Sequence, residues 1–168
     1  MIILSGFQYH LEERGGILYV KTDEKLNLNC PICNAMLTEI GVRLRKVISP
    51  EGDKEVLQIR RMRCEECGKI HHELPDYLVP YKRHCAETIE KVTADNLGDV
   101  PCEPAVVHKI KAWWLAIKDY FLNILIAVAE RMEIEPPEHP TFKEKIRTAA
   151  NSHLWTFPGR LGGVLGGV

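Results

Sequence analysis

The chain has no excess of charge of either sign. Its 22 Lys and Arg stand against 23 Asp and Glu in 168 residues, a formal net charge of −1. That balance excludes a protein that coats nucleic acid through bulk charge, and it leaves a local basic patch open. Long hydrophobic runs are missing as well. The most apolar stretch, Phe121 to Ala129, reaches about half of the roughly 20 residues that a bilayer span needs, and Asn123 interrupts it. The apolar start, Met1 to Leu4, soon gives way to Gln8, His10, Glu12 and Glu13. An export signal needs a basic start and a longer apolar core, so none is read here. The expectation is a cytoplasmic protein with no membrane partner. A hydrophobic fraction of 45% with 27% charged residues excludes wholesale disorder, and the length fits one medium domain or two small ones.

What the chain does have is six cysteines in an informative pattern. Cys30-Pro31-Ile32-Cys33 and Cys64-Glu65-Glu66-Cys67 form two C-x-x-C pairs, with Cys85 and Cys102 outside them. Each C-x-x-C turns tightly enough to aim two sulfurs at one ion, and two such turns complete a four-cysteine shell for Zn2+. The gap between the pairs is longer than usual and must hold an inserted element. Met36 to Ile48 reads as a strand, Pro50 to Asp53 as a turn and Val56 to Met62 as the returning strand. A hairpin there brings the two pairs together, and Gly68 suits the left-handed backbone that closes such a knuckle. The expected metal ligands are therefore Cys30, Cys33, Cys64 and Cys67, in a zinc ribbon. Cys85 and Cys102 read as small buried residues.

Other cysteine chemistry fits less well. Structural disulfides do not suit a chain read as cytoplasmic, and a redox C-x-x-C opens a helix in a βαβ unit rather than flanking a hairpin. His71-His72-Glu73 contains the H-x-E of zinc deaminases, but the cysteine motif that should follow it comes before it. Four cysteine ligands also leave no open coordination position for water. His71 and His72 read as ribbon-surface residues, with His71 as an alternative fourth ligand. No nucleophile–base pair is visible, so no catalytic residue is assigned and the chain is read as a non-enzyme.

The hairpin carries a charge that the totals hide. Arg43, Arg45, Lys46, Lys54, Arg60, Arg61 and Arg63 face only Glu51, Asp53 and Glu55 near the turn, leaving a local +4. Strand alternation puts Arg43 with Arg45, and Arg61 with Arg63, each pair on one face. Guanidiniums so aligned can lie along a phosphate backbone. The candidate nucleic-acid contacts are Arg43, Arg45, Lys46, Arg60, Arg61, Arg63 and Lys69, joined by Lys109 and Lys111 from the helical part.

Leu74 to Tyr81 holds two prolines and reads as an extended linker. A helix is predicted from Arg83 or His84 to Leu97, with Gly98 as its stop. Pro104 opens a second helix. Val107, Ile110, Trp114, Ile117, Phe121, Leu125, Val128 and Met132 then recur at helical spacing over about 28 residues, with a break expected near Asp119 or Asn123. Two helices around a short turn give the outline of a helix-turn-helix, with His108, Lys109 and Lys111 on its outer side. Trp113 and Trp114 read as core anchors. Thr141-Phe142-Lys143-Glu144 is a capping box for a third helix ending near Ser152. The predicted organisation is α+β: an N-terminal β segment (1–27), a four-cysteine zinc ribbon (28–73), a linker (74–83), a helical, helix-turn-helix-like module (84–153) and a flexible Gly-rich tail (154–168).

Three pieces, Cys30-Pro31-Ile32-Cys33, Arg60-Arg61-Met62-Arg63-Cys64-Glu65-Glu66-Cys67-Gly68-Lys69 and Leu74-Pro75-Asp76-Tyr77-Leu78-Val79-Pro80-Tyr81-Lys82, carry a resemblance. The chain resembles an uncharacterised bacterial family that joins a zinc ribbon to a helix-turn-helix, similar to the N-terminal DNA-binding region of insertion-sequence transposases. Val107 to Trp114 is similar to the basic, Trp-containing helix of that pattern, with fewer cations. The resemblance implies DNA binding linked to a mobile element or to transcriptional regulation, and it brings no catalytic residue across. The expected partner is DNA. The alternative is a protein-interaction adaptor that docks a transposase or other nucleic-acid enzyme, and RNA binding by the ribbon is a third reading.

Overall fold

The structure, a computed structural model, describes residues 1–22 and 28–155. Six strands precede three helices: β1 (Ile2–Leu4), β2 (Tyr9–Arg14), β3 (Ile17–Thr22), β4 (Leu37–Ile48), β5 (Lys54–Cys64), β6 (Ile70–Pro75), α1 (Ala86–Thr93), α2 (Pro104–Arg131) and α3 (Phe142–Asn151). The chain is α+β. β5 organises the sheet. One edge of it pairs with β4 along its whole length, from Leu37↔Cys64 to Ile48↔Lys54. Its other edge is shared, β3 joining in parallel at Leu57 and Gln58 and β6 antiparallel at Arg61 to Arg63. β1 adds to β6 in parallel, and β2 hairpins onto β3 through Gly15-Gly16.

The long hairpin forms because β-branched and aliphatic residues alternate with polar ones on both strands, and the Ser49–Asp53 turn closes it. Ser49 N–H donates to the Asp53 carbonyl at 2.9 Å, and Ser49 Oγ accepts from the Glu51 and Asp53 amides. Gly52 sits there at φ +98°, where a Cβ would also lie 3.0 Å from the Pro101 side chain. Two independent constraints thus demand glycine.

One continuous core joins the sheet to the helices. Leu57 and Ile59 of β5, Val47 of β4 and Leu74 of β6 pack with Ile89, Ile110, Ile117, Phe121, Phe142 and Ile146. The 74–83 stretch belongs to this core. Leu74, Leu78 and Val79 are almost fully buried, because the prolines hold the segment extended while its aliphatic side chains turn inward. α1 stops at Thr93, earlier than Gly98 predicts, since Asp95 already takes the left-handed conformation at φ +60°. α2 runs unbroken through Asp119 and Asn123. Trp114 stacks on Phe142 at 5.1 Å between ring centroids, as a core anchor. α2 is also long and apolar enough, by length and composition, to cross a membrane, which counting uninterrupted apolar runs does not reveal. In this fold Ile110, Ile117, Phe121, Ile124, Leu125 and Ala129 of that helix are buried.

α3 begins at the predicted capping box. Thr141 Oγ1 accepts from the Glu144 amide, and the Glu144 carboxylate accepts from the Thr141 amide at 2.8 Å. Thr141→Ala is expected to cost about 1 kcal/mol, lowering Tm by about 2–4 °C for a chain of this size, measured by thermal melting. At the other end of α3, Asn151 donates to the Ile3 carbonyl and accepts from the Ile3 amide, closing the open edge of β1. Leu154 and Trp155 still pack on α2, Trp155 lying 4.9 Å from the Phe121 ring and Leu154 accepting from Tyr120 Oη. The rest of the expected Gly-rich tail, from residue 156, lies outside the described residues.

Candidate metal centre and cationic face

The two C-x-x-C turns are built alike. In the first, the Asn34 amide donates to the Cys30 carbonyl and the Cys30 amide to the Ala35 carbonyl, both at 2.8 Å. In the second, the Gly68 amide donates to the Cys64 carbonyl at 3.1 Å and the Cys64 amide to the Lys69 carbonyl at 2.9 Å. Asn34 (φ 61°) and Gly68 (φ 68°) occupy the same left-handed position one residue after the second cysteine. β4 and β5 run between the turns, and the Leu37↔Cys64 pairing sets them side by side.

All four Sγ atoms lie within 4.8 Å of one another. Cys30 and Cys67 are 3.7 Å apart, Cys33 and Cys64 3.3 Å. A tetrahedral thiolate shell with metal–sulfur bonds of about 2.3 Å has edges of about 3.8 Å, so the group can hold one metal ion. Without an ion the thiols compete for charge. The Cys67 amide, 3.4 Å from Cys64 Sγ, draws the Cys64 thiol down to about 7. At Cys67 the Lys69 amide also favours ionisation, but burial and the hydrogen bonds of the neighbouring thiols push it up to about 12. A cation resolves that conflict by making every thiolate favourable.

Behind the cluster, His71 is buried, with Nε2 3.4 Å from Cys30 Sγ and Nδ1 3.5 Å from the Met1 nitrogen. Burial holds its imidazole neutral, at about 4. With its proton on Nε2 it donates to the Cys30 sulfur, the arrangement of a residue that orients a ligand. Cys85 is buried beside Thr88, and Cys102 is half-buried, both away from the four-cysteine group.

Alternation along the hairpin sorts the cations. Arg43 pairs with Ile59, Arg45 with Leu57 and Gly41 with Arg61, so Arg43, Arg45, Arg61 and Arg63 share the face that carries Ile59 and Leu57. His72, opposite Arg61 on β6, joins them. Burial pulls the His72 imidazole below its ordinary value, and the charges of Arg43 and Arg61 pull it further. Arg60 points the other way. Its guanidinium forms a two-pronged pair with Glu73, at 2.6 and 3.0 Å, and also reaches Thr22 and Glu39. Lys46 and Lys69 are exposed. Lys109 is exposed on the first turns of α2, and Lys111 pairs with Asp95. α1 and α2 are separated by residues 94–103, longer than the roughly three- to four-residue turn of a helix-turn-helix.

The shared face ends in a cavity of about 460 Å³, lined by Arg43, Arg45, Lys46, His72, Lys82 and Arg83, with Ile59, Leu74, Leu44, Met1 and Tyr81. Lys82 and Arg83 were not singled out by sequence, because they arrive from the 74–83 segment. Their signal was the Lys-Arg pair after the second proline.

The match to known families begins at the first cysteine of the cluster, Cys30, and ends at Trp113, the ring beneath Lys82: the domain of unknown function DUF6431 covers residues 30–113. The chain belongs to the DUF6431 family. The DUF6431 region contains all four cysteines of the cluster and every lysine and arginine that lines the cavity. No curated protein and no solved structure matches the chain.

Proposed function

We propose that the chain is a non-catalytic zinc-ribbon DNA-binding protein, linked to a mobile element or to transcriptional regulation. Four thiolates favour a soft, tetrahedral ion, and a complete cysteine shell gives Zn2+ a structural role with no open position for chemistry. The metal fixes the ends of β4 and β5. The hairpin then presents a face to phosphates. The observation that carries this reading is the alignment of Arg43, Arg61 and Arg63 on one face of that hairpin, while Arg60 turns away to Glu73. Lys69, Lys109 and His108 add exposed positive or polar groups beyond it.

Duplex binding measured across salt concentrations tests the proposal. Each phosphate contact contributes about 0.9 to the slope of log K against log salt. Charge reversal of Arg43, Arg61 and Arg63 together is expected to flatten that slope by about 2–3 and to weaken binding at least tenfold. Absence of duplex binding at low salt overturns the proposal, and structured RNA as competitor tells the two nucleic acids apart. A specific observation favours an adaptor as the second reading. Among the described residues nothing pairs with the far edge of β4 up to Ile48, and Ile40, Val42 and Leu44 are exposed on it. Such an edge can accept a strand from a protein partner, and co-purification of a transposase or other nucleic-acid enzyme would support that reading.

A further inference from the structure

The cavity at the end of the cationic face differs from the face itself. Its cations come from separate directions, Arg43, Arg45 and Lys46 from β4 and Lys82 and Arg83 from the segment crossing the end of the sheet, with the His72 imidazole of β6 among them as a polar group. Two of them are held in place. Arg45 Nη2 donates to the Val79 and Lys82 carbonyls at 2.7 and 2.9 Å, and the Lys82 ammonium sits 3.9 Å over the Trp113 ring. Among the described residues no carboxylate lines the cavity, and none pairs with Arg43, Lys46, Lys82 or Arg83. A concentration of like charge with no internal counterion is unfavourable unless an anion completes it. Ile59, Leu74 and Leu44 supply an apolar wall beside those charges. The volume, about 460 Å³, falls within the range of small-ligand sites, roughly 300–1,000 Å³.

We propose that this cavity binds a single nucleotide through a terminal phosphate, free or at the end of a strand. A phosphodiester track needs one or two cations at each step along a line. Several guanidinium and ammonium side chains lining one volume instead suit the dianion of a phosphomonoester, which accepts several charge-assisted hydrogen bonds at once. The apolar wall then covers the sugar or base. The inference rests on the nucleic-acid reading for the strand end, and the two separate in one experiment.

The zinc-loaded protein is titrated calorimetrically with AMP, with adenosine, and with single strands of one sequence bearing a 5′-phosphate or a 5′-hydroxyl. A closed dumbbell duplex without ends is the fifth ligand. AMP is expected to bind and adenosine not to bind. The 5′-phosphate is expected to improve strand binding at least tenfold if strand ends are the source. Arg43→Gln with Arg83→Gln, both exposed positions, is expected to remove the AMP signal while the melting temperature stays unchanged. AMP is also expected to raise the pH at which the His72 ring protons titrate. Dumbbell binding without AMP binding and without 5′-phosphate preference overturns the cavity inference and leaves the DNA reading standing. AMP binding with no strand or duplex binding supports the cavity and overturns the DNA reading, and binding of none of the ligands overturns both.

Discussion

Removing the metal is expected to lower the melting temperature by about 8–16 °C and to loosen one end of the molecule. An ion present at about 1,000 times its dissociation constant stabilises by about 4 kcal/mol through linkage, and each kcal/mol moves Tm by about 2–4 °C at this chain length. The loss is local because two hydrophobic clusters exist. Ile2, Leu37 and Met62 pack with Cys30 and Cys64 in a small cluster around the sulfurs. Phe121, Ile117, Leu57 and Ile89 belong to the larger one. Without the ion the small cluster has little apolar area and four thiols in competition, so hydrogen-exchange protection should vanish over residues 28–37 and 62–71. α2 and α3 should keep theirs. Cys30→Ser or Cys64→Ser should reproduce the effect, and Cys85→Ser should not change metal content. An unchanged melting curve after chelation would sink the metal's structural role. Acid acts in the same direction as chelation. The ligands bind as thiolates, so falling pH returns protons to sulfur and releases the ion.

The four-cysteine cluster was legible because both halves of it are local. A C-x-x-C turn needs only four residues, and the hairpin that unites the two turns is written in alternating strand residues and a Pro-Glu-Gly-Asp turn. The shared face of Arg43, Arg45, Arg61 and Arg63 was legible for the same reason, since side-chain direction alternates along a strand. Arg60 shows the limit of counting cations. By the same alternation it must face away from Arg61, and its partner Glu73 lies on another strand, so its ion pair is invisible in the hairpin's own sequence. The cavity was not legible. Its walls come from β4, β6 and the 81–83 stretch, brought together by the docking of a segment whose prolines read as a linker. The sequence signal for that docking was Leu74, Leu78 and Val79, apolar residues too many for a solvated connector. Parallel pairing of β1 with β6 joins residues about 70 positions apart and leaves no local trace either.

Arg60→Ala is expected to destabilise the fold by about 3–5 kcal/mol, the usual cost of stripping the partner from a buried charge, while leaving duplex affinity unchanged. Glu73 is 1% exposed, and Arg60 supplies both hydrogen bonds that hold its two oxygens. Burial already raises the Glu73 carboxyl above its ordinary value of 4.5, and Arg60 opposes that rise. Without Arg60 the carboxyl moves further up, and the folded state takes a proton to avoid an unpaired charge. The sign of the pH dependence follows. A raised carboxyl costs nothing below the unfolded value near 4.5, and the cost grows as pH rises through the folded value. Urea denaturation of the variant should therefore show a larger deficit at pH 7 than at pH 5. Arg60→Met combined with Glu73→Leu should recover much of the loss, because a paired apolar replacement leaves no charge to solvate. Equal deficits at both pH values would mean that the arginine contributes packing alone. Reduced duplex affinity in a folded Arg60 variant would return that residue to the face proposed to bind phosphates, against its orientation toward Glu73 and Thr22.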